Sequence, residues 1–97
     1  MTTQTFPFDA AVYLDDADAQ AELIADAFQS GDAAYITTAL GTVARARGMG
    51  QIAKDAGVTR EALYKALSSE GDPKLTTLLG VLKALDLSLT TGRREIA

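Results

Sequence analysis

The stretch Met49–Ser68, MGQIAKDAGVTREALYKALS, restricts the architecture more than any other part of the chain. Its apolar residues Ile52, Ala53, Ala56, Val58, Leu63 and Ala66 fall where two short crossed helices have to meet. Ala53 lies at the crossing and has to be small, Gly57 takes a turn conformation that a side chain opposes, and Leu63 fills the wedge between the helices. Ala-x3-Gly-x5-Leu alone suits any hairpin of an Ala-rich chain. With Ile52, Val58, Ala66, a capping Thr59 and flanking helices of suitable length, it specifies a helix-turn-helix. The spacing predicts a first motif helix from about Gln51 to Ala56, a turn at Gly57 and Val58, and a second helix from Arg60 to about Ser68.

A chain of 97 residues closes one core. Ala and Leu dominate over six aromatics and few β-branched residues, so the expected fold is all-α with about five helices. Residues 1–14 are read as an N-terminal arm with Phe6 and Phe8 as anchors, 15–89 as a single helical domain, and 90–97 as a flexible, partly basic tail. The first helix is expected from Asp15 or Asp16 to Ser30, closed by Gly31, with Ala17, Ala21, Ile24 and Phe28 on its apolar face. Asp32 caps a second helix running to Arg47 and Gly48, with Ile36, Leu40, Val43 and Ala44 inward. Asp72 and Pro73 are read as opening a last long helix with a buried stripe of Leu75, Leu78, Leu79, Leu82 and Leu85. Leu87 and Leu89 alternate with polar residues as a short strand does.

The net charge of −4 conceals a polarised chain. Seven acids and no base lie between Met1 and Ala44, whereas nine bases and six acids follow from Arg45 onward, which makes the halves −7 and +3. Such asymmetry points to one part that meets nucleic acid and another that meets a basic partner or solvent. Asp15, Asp16, Asp18 and Glu22 are the candidates for a basic partner. The second motif helix exposes Thr59, Arg60, Glu61, Tyr64, Lys65 and Ser68, while Ala62, Leu63, Ala66 and Leu67 are expected to face inward. Arg60 can fork onto guanine, Glu61 can accept from cytosine, and Tyr64, Lys65 and Ser68 can reach bases or phosphates. Arg45, Arg47, Gln51 and Lys54 stand where DNA phosphates would pass. Each of these is also an ordinary solvated side chain in its own right, and Glu61 with Lys65 forms a helix-stabilising i,i+4 pair without DNA.

Cys, Trp and His are absent, which removes disulfides, thiolate nucleophiles, imidazole bases and most metal sites. The Asp15–Asp18 cluster lacks the glycine and distal Glu of a calcium loop, so catalysis, cofactor and metal are all unsupported. The first residues hold neither a basic cluster nor an apolar run, and no stretch approaches a membrane span, so a cytosolic protein is expected.

The residues VARARGMGQIAKDAGVTREALYKALSSEGDPKLTTLLGVLKALDLSL resemble the HigA-like antidote proteins of toxin–antitoxin modules, within the wider class of Cro and lambda-repressor type helix-turn-helix regulators. The resemblance is closest from Ala39 to Leu89 and extends loosely to Phe8 through FDAAVYLDD. It implies a lambda-repressor-like domain with an extra N-terminal helix. It implies further a repressor of its own operon, on double-stranded operator DNA, whose partner is a small basic toxin of the RelE-like ribonuclease superfamily; a homodimer is expected separately, because one recognition helix buries little and two-fold repressors bind paired half-sites. Its DNA-reading positions would be Gln51, Thr59, Arg60, Glu61, Tyr64 and Lys65. Gly50 departs from the usual Ser-like cap of the first motif helix, and Asp86 stands where Gly is usual. A stand-alone repressor without a toxin, or a helix-turn-helix kept for protein contacts, is the competing reading, and a small basic toxin gene next door separates them.

Overall fold

The computed structural model describes residues 16–94, and within them the chain forms five helices and no strand: α1 (Ala17–Ser30), α2 (Ala33–Arg47), α3 (Met49–Ala56), α4 (Arg60–Ala66) and α5 (Leu75–Ala84). The expected arm and Asp15 lie outside the described residues. No described helix is long and apolar enough to cross a membrane.

Local chemistry sets most of the boundaries. The Asp16 carboxylate accepts from the Asp18 N–H at 2.9 Å and starts α1, and Asp32 accepts from the Ala34 and Tyr35 N–H groups and starts α2. The turn after α3 satisfies two orphan carbonyls in a Schellman arrangement, Gly57 N–H donating to Lys54 O and Val58 N–H to Ala53 O. Gly57 holds φ +78° there, a conformation that costs glycine nothing. Thr59 Oγ1 then accepts from the Ala62 N–H at 3.0 Å and starts α4.

The core gathers Ile24 of α1, Leu40, Val43 and Ala44 of α2, Met49, Ile52 and Ala53 of α3, Leu63 of α4, and Val81, Leu82 and Leu85 at α5. Leu63 and Val81 are fully enclosed, so the motif is anchored on both sides. Gly80 lets α5 approach α3 closely, because a Cβ there would stand 3.2 Å from the Ala56 backbone.

Several expectations are corrected. α3 begins at Met49 and not near Gln51, because Gly48 both ends α2 and precedes α3 and buried Met49 is already needed by the core; Gly50 is therefore inside the helix and is not its cap. α4 ends at Ala66 and not near Ser68, and on this short helix Ala62 is exposed. α5 starts at Leu75 with Lys74 as an N-cap that makes no side-chain bond, while Pro73 and Lys74 stay outside the helix. Gly71 packs closely on the Ala66 carbonyl, where a Cβ would collide. Val81 occupies the inward position, and Leu75 and Leu79 are exposed. On α1, Gln20 and Ala27 are buried beside Ile24, while Ala17 is exposed. Leu87 and Leu89 form no strand, since none of the described residues forms a strand to pair with them; Leu87 packs on the core and Leu89 is exposed.

Candidate nucleic-acid interface and acidic helix

α3 and α4 adopt an arrangement consistent with a helix-turn-helix, with α4 as the second helix and most of its residues exposed. Thr59, Arg60, Glu61, Tyr64, Lys65 and Ser68 are all exposed. The Arg60 guanidinium lies over the Tyr64 ring, 5.6 Å from its centroid, one helical turn apart. Such a contact holds an otherwise rotamer-rich side chain in one orientation, and at an exposed site it contributes about 0.5–1 kcal/mol. Tyr64 is itself 42% exposed. Thr59 spends its hydroxyl lone pair on capping. Ser68 donates its hydroxyl to the Lys65 carbonyl at 2.9 Å.

On α3, Gln51 and Lys54 are exposed, and Gln51 Nε2 donates to Asp55 Oδ1 at 2.9 Å. Asp55 was not singled out by sequence reasoning, although its i,i+4 spacing from Gln51 is the signal that would have found it. The same spacing links Arg60 to Tyr64.

The two arginines at the end of α2 take other partners. Arg45 reaches back to Thr42 Oγ1 at 3.5 Å. Arg47 donates to Gln20 Oε1 of α1 at 3.0 Å and lines a cleft with Ala17, Ile24, Val43 and Leu87. Arg47 is thereby tied to α1.

α1 carries the acids. Asp18, Glu22 and Asp26 recur every four residues on its exposed face, and Asp16 caps its start. Asp26 accepts a hydrogen bond from the Tyr35 hydroxyl of α2 at 2.6 Å, and this bond to a carboxylate raises the Tyr35 pKa above its ordinary value. Asp16, Asp18 and Glu22 form one solvated acidic strip. Among the described residues no group of three or more acids or other donors could hold a metal ion.

The chain is 41% identical over its full length, and that of its relative, to a protein of Haemophilus influenzae described only as uncharacterized. No solved structure matches it. A family model for a probable addiction module antidote protein matches residues 4–93. An antidote implies a toxin that it counteracts, so the match supports an antitoxin role with a toxin partner. The chain belongs to the family of probable addiction module antidote proteins.

Proposed function

We infer that this antidote is a DNA-binding antitoxin that neutralises a small, basic, RelE-like ribonuclease toxin in the cytoplasm and represses its own operon. The reading is carried by one observation above the rest: Arg60 opens the second motif helix and is held over Tyr64 on its exposed side. A guanidinium so held can fork onto guanine O6 and N7 in the major groove. Glu61 accepts from cytosine, Lys65 and Lys54 meet phosphates, and Gln51, freed from Asp55, reads a base or a phosphate. Thr59, Tyr64 and Ser68 complete the contact set. Arg47, with Gln20 as its partner, contributes through the field around the site and not by a bond to a base. The molecule acts as a two-fold dimer on half-sites about 34–36 Å apart. The acids Asp15, Asp16, Asp18 and Glu22 face the toxin and steer its approach.

The direct test is a gel-shift titration on the DNA upstream of the antitoxin gene with Arg60→Ala/Lys65→Ala. Losing one bidentate base contact costs about 1–3 kcal/mol, and losing a phosphate contact lowers the salt slope by about one. The double variant keeps its fold, since both side chains are exposed. Equal affinity of the variant and the parent would remove α4 from the DNA interface.

A further inference from the structure

α3 and α4 carry two acids, and the two are placed differently. Glu61 lies in the first turn of α4, where the positive end of the helix dipole favours a carboxylate. Asp55 lies in the last turn of α3, beside the negative end, and is exposed there. It caps nothing: Gly48 precedes α3 without a side-chain bond, and backbone bonds from Gly57 and Val58 close the turn that follows. Among the described residues, the hydrogen-bond partner of its carboxylate is Gln51, whose Nε2 donates to Oδ1 at 2.9 Å. A Gln–Asp bond at i,i+4 shifts a helix equilibrium only about twofold, and the dipole opposes even that. Helix stability therefore does not account for an acid at this position.

We propose that Asp55 is a brake on DNA binding that acts through Gln51: its carboxylate occupies the Gln51 amide and repels the phosphates that approach α3. A carboxylate oxygen and a group on DNA compete for the same N–H, so Gln51 engages DNA only by giving up the bond it makes in the free protein. The charge is a second and separate cost, felt by any phosphate near Gln51 and screened by salt. Lys54 and Asp55 together leave α3 without net charge, whereas Arg60, Glu61 and Lys65 leave α4 with one excess base. The part of binding that is blind to sequence is thereby kept low on α3, and recognition depends more on what α4 reads. The brake rests on the DNA-binding reading of α3 and α4, although the bond that carries it is already made without DNA.

Two substitutions separate the costs. Asp55→Asn keeps an acceptor at Oδ1 and removes the charge, whereas Asp55→Ala removes both. In fluorescence-anisotropy titrations of the full chain on the DNA upstream of its gene, Asp55→Asn should bind about fivefold tighter than the parent at low salt, with the gain shrinking as salt rises. Asp55→Ala should bind about twofold tighter again. With Gln51→Ala as the background, that last gain should vanish while the gain from the lost charge remains. Helical circular dichroism should be unchanged throughout, since both side chains are exposed. In the free protein, the Gln51 side-chain amide resonance should shift in Asp55→Ala.

A parent that binds the operator while neither Asp55 variant binds tighter overturns the brake and leaves the DNA reading standing. Asp55→Ala binding more weakly than Asp55→Asn overturns it too, since Asp55 would then orient Gln51 for DNA. So does a difference between the two variants that persists in the Gln51→Ala background. A parent with no affinity for the operator overturns the DNA reading itself, and the brake with it.

Discussion

Asp86 is, among the described residues, the single one other than glycine with a positive φ, +60°. It closes α5 in a Schellman arrangement, its N–H donating to Lys83 O at 3.0 Å and the Leu87 N–H to Leu82 O at 2.8 Å. Gly57 does the same work after α3 at φ +78° without a side chain. The departure at Asp86 that stood out in the sequence is therefore a glycine position filled by a residue that tolerates the left-handed region at a cost. Asp86→Gly should stabilise the fold by about 0.5–1 kcal/mol, since the strain relieved exceeds the chain entropy that glycine adds. For a domain of this size that is a rise of a few degrees in Tm on thermal denaturation. A lowered Tm would mean that the Asp86 carboxylate is worth more than its backbone costs.

At the scale of elements, α1 and α2 are joined by a polar contact as well as by packing. The Tyr35 hydroxyl donates to Asp26 at 2.6 Å, and the carboxylate holds the phenol in its protonated form above its ordinary pKa. A raised folded pKa contributes stability that is fully present below the ordinary tyrosine value of about 10 and is lost as pH rises through the raised one. Asp26→Asn keeps an acceptor and removes the charge. In a spectrophotometric titration it should bring the Tyr35 transition down toward the ordinary range, and an unmoved transition would deny the coupling. Nothing in the sequence announces this pair, because Asp26 and Tyr35 are nine residues apart on different helices and meet only after Gly31 turns the chain. The boundaries of α1 and α2 were legible, since Asp16, Gly31, Asp32 and Gly48 act within one turn of themselves. The inward face of α5 was not. Leu75, Leu78, Leu79, Val81, Leu82 and Leu85 contain two overlapping helical stripes, and which one is buried is decided by where α3 lies against α5. The strand read into Leu87 and Leu89 failed for the related reason that alternation has no meaning without a neighbour to pair with. Within the candidate interface, exposure of α4 followed from periodicity, whereas the turn of Arg47 toward Gln20 depends on a tertiary contact that periodicity does not encode.

Among the described residues, the charge asymmetry of the chain becomes a difference between elements. Asp16, Asp18 and Glu22 lie on α1, whereas Lys54, Arg60 and Lys65 lie on α3 and α4. Helix capping accounts for Asp16 and Asp32 but not for Asp18 or Glu22, which cap nothing and remain exposed. One role for such a strip is to keep the free protein soluble and to turn α1 away from phosphates; another is to draw in a basic toxin. Kinetics separates them. Neutralising Asp15, Asp16, Asp18 and Glu22 as Asn and Gln preserves the α1 cap, because Asn caps about as well as Asp, so a change in binding is not a change in folding. If the strip steers the toxin, association should slow most at low ionic strength and converge with the parent near 1 M salt, where the Debye length falls to about 3 Å. Dissociation should change less than association, and operator affinity should hold or rise, since negative charge is removed from a protein that approaches phosphates. A toxin association rate equal in parent and variant, and insensitive to salt in both, would confine these acids to solubility and place the toxin contact on another surface of the antidote.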